Sequence, residues 1–354
     1  MLQARIQFEE ITEQKYQQFL VRAQHDTFYN SSSRFEFLKS QNRHLSFFKI
    51  NRNDETIGLL HYQLIPAKTG KLIYFQHTPL LFDNSSNDAI VELFEALIPF
   101  VKDELRRHRV AFARFTSRIE TNPELTKRLY ALGYVRAPIQ EIDACVTRVI
   151  NLKEFDINTI RNTTRHSIQK GQKDGLVTIF EERPQDFSEF LSYYTEMERV
   201  KGFTPLPLTY LRKELEIYSS KGMLLQCKTR NADHVLTISQ VIIYRNRAYY
   251  YHAATSNEGK QSNASPVNLY DIIQETKKRG LDSLDLWGGS VPDRIHDLNI
   301  PHPWKKLDIF KKGFANELYE FLPPLDLPYS WAAYAIPYAI QWFRTKRKGY
   351  PIVK

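Results

Sequence analysis

Residues 285–320 read DLWGGSVPDRIHDLNIPHPWKKLDIFKKGFANELYE, and the rest of the chain can be arranged around them. Leu284 and Leu286 mark a short apolar strand that runs into Gly288 and Gly289. Glycines after a strand let a ligand approach the backbone, because no Cβ stands in the way. Turn-forming residues follow, then His302-Pro303-Trp304. The alternation from Leu307 to Lys311 reads as a second strand, which runs on into Lys312-Gly313-Phe314. A lysine beside a buried aromatic can place a cation where negative charge develops.

Upstream of this stretch, the second half reads as helix (186–197), helix (208–219), strand (223–228), then a hairpin of 234–244 and 247–254 about Arg245-Asn246. A helix from Pro266 to Arg279 leads to the strand at Leu284. The first half has the same order: helices at 10–24 and 34–41, strands at 45–50, 56–66 and 71–77, and a helix from Asp88, its expected N-cap, to His108. A strand at 110–115, a helix at 123–132 and a strand at 142–150 complete it. The repeated order predicts an α/β (α+β) chain of two similar units, 1–150 and 151–322, followed by a tail at 323–354. Each unit is then about the size of an ordinary domain.

The composition is that of a globular protein, with 42% hydrophobic and 13% aromatic residues. The net charge of +9 favours an anionic partner without choosing one. Cys145 and Cys227 are the two cysteines, too few and too far apart for a disulfide framework or a metal site, and they read as small core residues. No metal ligand set is expected. The first residues carry no apolar signal core, and no run reaches the roughly 20 apolar residues of a membrane span. The expected setting is the cytoplasm.

Residues 158–173 form a basic, helix-like segment that contains Arg161, Arg165, Lys170 and Lys173. Such a run is either a solvated face or an anion-binding one. In the tail, Trp331, Tyr334, Tyr338 and Trp342 recur at helical spacing and Arg344, Lys346, Arg347 and Lys348 follow. That pattern fits a helix packed on the protein, or one lying on an anionic membrane surface through residues 331–348. There is no Walker motif, no G-x-G-x-x-G after a strand, no H-E-x-x-H and no G-x-S-x-G. The glycine-rich pyrophosphate loop of simple acetyl-CoA transferases is also missing after either central hairpin. Gln172 to Gly175 is a partial match that precedes the strands.

Taken in order, several stretches resemble motifs of the Fem family, the non-ribosomal peptidyltransferases that use aminoacyl-tRNA to build the peptide bridge of peptidoglycan. They are Thr27-Phe28-Tyr29-Asn30-Ser31 with Lys39, Phe112-Ala113-Arg114-Phe115, and Val149 to Gly175 with Thr164-Arg165. Tyr193 to Phe203, Tyr249 to Ala254 and Leu269 to Gly280 follow, and then His302-Pro303-Trp304 with Phe310 to Phe314. Phe35 and Tyr270 stand where the family has tryptophan, and Ala315-Asn316 departs from its usual pair. The resemblance covers almost the whole chain.

It implies tandem acyltransferase-like (GNAT) domains, each a mixed sheet flanked by helices, with the last segment returning to the first domain. No coiled-coil arm is expected, because no heptads are sustained. The implied reaction moves an amino acid from aminoacyl-tRNA to an amine of a nucleotide- or lipid-linked muropeptide, with no cofactor. Lys311 is the implied oxyanion-stabilising cation, with Phe310 beside it. Lys39 and Arg199 match phosphate-binding positions. Tyr251, with Tyr249 or Tyr250 as alternatives, matches a muropeptide contact. A tRNA partner would account for the basic segment holding Arg161, Arg165, Lys170 and Lys173. The alternatives are another acyltransferase on the same scaffold, acyl-CoA-dependent included, and a non-catalytic RNA- or membrane-binding protein.

Overall fold

The structure is a computed structural model that describes residues 6–67, 70–83, 85–139, 143, 145–201, 206–289 and 305–347. The chain divides into two compact units. One runs up to Val146 and resumes at Glu320; the other holds Thr147–Gly289 and Lys306–Tyr319.

The first unit is built on strands β1 (Ile6–Ile11), β2 (His44–Arg52), β3 (Glu55–Ala67), β4 (Gly70–Gln76), β5 (Leu80–Leu81), β6 (Phe112–Thr116) and β7 (Val135–Arg136). Its helices are α1 (Glu13–Leu20), α2 (Ser32–Ser40), α3 (Asn87–His108) and α4 (Pro123–Ala131). The second unit holds β8 (Val146–Asn151), α5 (Asn162–Lys173), β9 (Val177–Glu182), α6 (Ser188–Lys201), α7 (Leu208–Ser220) and β10 (Leu224–Arg230). It continues with β11 (Val235–Tyr244), β12 (Arg247–Thr255), α8 (Asn257–Gln261), α9 (Ala264–Lys278), β13 (Ser283–Asp285), α10 (Lys305–Lys312) and β14 (Leu318–Glu320). The tail adds β15 (Leu325–Pro328) and α11 (Trp331–Arg347).

The two sheets have one plan. The first is ordered β1-β2-β3-β4-β6-β15-β7, with β5 beside β3; the second, read from its other edge, is β9-β10-β11-β12-β13-β8-β14. Each contains a parallel pair, β4 with β6 and β12 with β13, among mostly antiparallel neighbours. A helix spans each parallel crossover, α3 in one unit and α9 in the other, as parallel neighbours require. The strand next to the parallel pair is β15, from the tail, in the first sheet, and β8, from the segment joining the units, in the second.

Apolar periodicity explains how these elements pack. Leu93, Leu97, Val101 and Leu105 recur every fourth residue along α3 and are buried with Phe75 and Phe115, whose rings stack 4.3 Å apart. In the second core, Leu269, Ile272 and Ile273 of α9 lie on Leu225, Val241 and Ala248. Cys145 and Cys227 are both buried.

Several sequence expectations are corrected. Residues 6–11 are a strand, and the first helix is confined to 13–20. Two of the outermost strands, β1 and β9, escape a reading by apolar pattern because they are edge strands with polar or exposed faces; Val177 and Ile179 are both exposed. Ser86, and not Asp88, caps α3, its hydroxyl accepting from the amide of Ala89; Asp88 sits inside the first turn. The strand expected at 142–150 begins at Val146 and pairs within the second sheet. The stretch 307–311, expected as a strand, is the helix α10.

Candidate functional site

The second unit carries a charge network, set by α10, that is unusual for its depth. This helix is inverted: Leu307 and Ile309 are exposed, whereas Asp308 and Lys311 are each only 2% exposed. The alternation that reads as a strand therefore places its apolar residues on the wet side. Helix is locally favoured because Asp308 lies in the first turn and Lys311 and Lys312 in the last, complementing the helix dipole. Gly313 ends the turn, its carbonyl accepting from the amide of Arg161 at the start of α5. A Cβ on Gly313 would overlap the Thr164 hydroxyl and press on the Phe310 carbonyl. Gly313→Ala is expected to destabilise the second unit by about 1–3 kcal/mol, read as an earlier denaturant midpoint; an unchanged midpoint would count against this packing.

The Lys311 ammonium donates to the carbonyl oxygens of Trp287 and Gly288, both at 2.6 Å. Those two residues follow β13 with left-handed backbone, φ +51 at Trp287 and +81 at Gly288. A bulky residue in that region is strained. It is held there by Asp285, whose carboxylate accepts from the Trp287 amide at 2.8 Å and from the Thr147 hydroxyl at 2.5 Å. Asp308 is engaged by Arg148 through two hydrogen bonds, at 3.0 and 3.2 Å, and Arg148 also donates to the Asn316 carbonyl at 2.9 Å. Among the described residues, two of the three N–H directions of Lys311 have acceptors, which leaves one.

Burial pushes Lys311 down to about 7, against the pull of Asp285 and Asp308 towards the charged form. In the unfolded chain the lysine holds its proton up to its ordinary value of 10.5. Between these values the unfolded state binds the extra proton, so the contribution of this group to stability rises with pH across that window. The slope is at most about 1.4 kcal/mol per pH unit. Unfolding of the second unit is expected to become harder between about pH 7 and about pH 9 in the native chain and not in Lys311→Met. Equal slopes would refute a depressed lysine.

Around Trp287 stand two of the expected tyrosines. Tyr249 and Tyr251 meet its ring edge-on at 5.6 and 5.9 Å, while Tyr250 points to the opposite, core face and bonds Ser239. The ladder shifts register between Gln240 and Val241, which leaves Tyr251 as the extra residue of a bulge on β12. That bulge lets two consecutive side chains meet: the rings of Tyr251 and His252 are 3.9 Å apart. The Tyr251 hydroxyl donates to Glu214 of α7 at 3.1 Å, and the same buried carboxylate lies 3.7 Å from His252 Nε2. Tyr251 thus links Trp287 to a buried acid–histidine pair.

The other expected residues are placed differently. Phe310 packs on Phe314 at 5.4 Å and lines the second core. Arg161 precedes α5 and is exposed, and Arg165 bonds Asn158 at 3.1 Å. Ile168, one helical turn beyond Arg165, is buried, so that side of α5 is a packing face at its middle. Lys170 and Lys173 are exposed near the far end of α5. Arg199 lies within α6, and its side chain falls outside the described residues, as does His302-Pro303-Trp304. Lys39, in the first unit, is more than half exposed and ion-paired with Glu13 at 2.5 Å. The buried cation nearest to it in sequence is Arg34, whose guanidinium sits 4.4 Å over the Tyr29 ring and donates to Gln76 at 3.3 Å. Asp285, Asp308, Arg148, Trp287 and the Glu214–His252 pair were not legible as site residues. The one available signal was Trp287 directly before paired glycines.

After β12 the chain forms the short helix α8, with Gly259 tight against the Leu236 carbonyl. Among the described residues no group of acidic, histidine and cysteine side chains could hold a metal ion.

Compared with known proteins, residues 158–305 match the acetyltransferase (GNAT) domain family. No curated protein matches the sequence. Among solved structures, the chain is similar to FemX, with a TM-score of 0.73 at 14% identity over 93% of this chain and 99% of that one. It is also similar to the C-terminal domain of a putative lysylphosphatidylglycerol synthetase from Agrobacterium fabrum (TM-score 0.54, 15% identity, 92% and 96% covered). A tandem GNAT protein from the clavulanic acid biosynthesis pathway is a third such structure (TM-score 0.54, 10% identity, 92% and 99% covered). At these identities the likeness concerns fold, and it agrees with the two matching sheets: the chain has a mixed α/β, tandem GNAT architecture.

Proposed function

We propose that the chain is an aminoacyltransferase that moves an amino acid from aminoacyl-tRNA to an amine of a peptidoglycan-precursor stem peptide. The observation that carries this reading is the Lys311 ammonium, buried and held by two backbone carbonyls, with one N–H direction left among the described residues. The extent of the likeness to FemX supports it, and so does the excess of cationic residues, which suits tRNA phosphates.

The substrate ester is already activated. The acceptor ammonium loses a proton to solvent, its nitrogen attacks the ester carbonyl carbon, and a tetrahedral oxyanion forms. Lys311 directs its remaining N–H at that oxygen. The attacking nitrogen gives up its second proton, the C–O bond to the tRNA ribose breaks, the departing ribose oxygen takes up a proton to become the hydroxyl, and an amide remains. Positioning and oxyanion stabilisation supply the catalysis. Tyr251 and Tyr249 are assigned to the muropeptide, and Lys39 and Arg199 to the phosphates of the acceptor. Arg161, Arg165, Lys170 and Lys173 are assigned to tRNA.

The second reading is an acyl-CoA-dependent N-acyltransferase, favoured by the match to the acetyltransferase domain family. One experiment separates the two. Purified protein is given mixed charged tRNAs and a muropeptide precursor, or acetyl-CoA and the same precursor, and the product is weighed by mass spectrometry. An added amino-acid mass supports the proposal. An added acetyl group, or no product with either donor, overturns it.

A further inference from the structure

We propose that α11 is a membrane-surface helix that docks the protein on anionic lipid through its outer face. This stands apart from the reaction proposed above and uses only the first unit.

The helix has two unlike sides. Tyr334, Gln341 and Thr345 pin the inner one: the Tyr334 hydroxyl donates to Asp326 at 2.6 Å, Gln341 accepts from Arg114 at 2.7 Å, and the Thr345 hydroxyl donates to the Pro138 carbonyl at 2.9 Å. On the outer side Trp331, Ile336 and Phe343 are 64%, 67% and 66% exposed. Between them the outward positions are alanines, so the first ten residues, WAAYAIPYAI, carry no charge. The cations come last: Arg344, Lys346 and Arg347 are all exposed, and the helix has no acidic residue. Lys346 lies 5.1 Å over the Trp342 ring.

Ile336 and Phe343, left in water on one face of the helix with Trp331 exposed at its start, require an explanation beyond ordinary surface composition. A bilayer interface supplies it, because aromatic and aliphatic side chains enter the headgroup boundary while terminal lysines and arginines meet lipid phosphates. Among the described residues no helix is long and apolar enough to cross a membrane. Nucleic acid fits less well, since the uncharged first ten residues offer no partner to a phosphate backbone. Arg106, near the start of the helix through Tyr329, adds little, because Asp103 pairs with it.

The test is co-sedimentation of the full chain with phosphatidylcholine vesicles and with vesicles of about one-third phosphatidylglycerol. Two variants accompany it, Ile336→Ser/Phe343→Ser and Arg344→Gln/Lys346→Gln/Arg347→Gln. All five positions are exposed, so both should fold, which circular dichroism checks. Binding to the anionic vesicles alone is expected, weakened on the order of a hundredfold by removing the three cations, and lost in the serine variant. Absence of binding to anionic vesicles overturns the proposal, as does equal binding by the serine variant. Two other results also overturn it. One is a concentration-dependent dimer that the serine substitutions abolish, which makes the face a self-interface. The other is tRNA binding that needs Ile336 and Phe343, without vesicle binding.

Discussion

Lys311→Met is expected to lower amino-acid transfer on the order of a hundredfold or more, with at most a modest loss of stability in the second unit. Two costs oppose each other there. The buried ammonium is costly to desolvate, and an apolar side chain relieves that cost, whereas the Trp287 and Gly288 carbonyls lose this donor. The same ammonium is the group positioned to meet a developing oxyanion, and methionine has no hydrogen to offer. Lys311→Arg should not rescue the rate, because a planar guanidinium cannot reproduce the approach to two carbonyls 2.6 Å from one nitrogen. Single-turnover transfer, alongside denaturant unfolding, reads both effects. A variant with the native rate would remove Lys311 from the chemistry. A variant with a lost rate and a large loss of stability would make it a structural residue.

The second large effect is expected at Asp326. Two guanidinium contacts of Arg114, each at 2.7 Å, end on this carboxylate, which is fully buried and also accepts from Tyr334. Asp326→Ala would leave a nearly buried arginine without its counter-charge and a phenol without its acceptor. Breaking one side of a buried pair costs about 3–5 kcal/mol, and that loss falls on the first unit. Asp326→Asn keeps the acceptor and the shape and should lose less. Thermal unfolding checks the order native, Asn, Ala. Removing the pair as Arg114→Met/Asp326→Leu is expected to recover much of the loss, since a well-packed apolar replacement is often neutral. No recovery would place the energy elsewhere.

What the sequence made legible follows from what each signal depends on. Helices with regular apolar spacing, such as α3 and α9, could be read to within a few residues because burial repeats along them. The edge strands β1 and β9 could not, since half of their positions carry no burial signal. Lys311 was identified as a residue, by resemblance, but its setting was misread. Leu307 and Ile309 alternate with polar neighbours as a half-buried strand would, and only the tertiary fold puts Asp308 and Lys311 inside. Arg148 and Asp308 are 160 residues apart, and no local pattern reports a pair at that separation. Tyr251 could be singled out, yet its neighbour His252 could not, because adjacent strand residues normally face opposite ways and the bulge is invisible in the letters.

The placement of β15 has a consequence for synthesis. It lies between β6 and β7, so the sheet that starts at Ile6 is missing an interior member until residue 328 has left the ribosome. The sheet of the later half needs nothing beyond Glu320. The half of the protein made first is therefore the one finished last, against the usual amino-to-carboxyl order of nascent domains. A nascent chain halted after Asn151 should stay open to protease along β6 and β7, and release of the full polypeptide should close it.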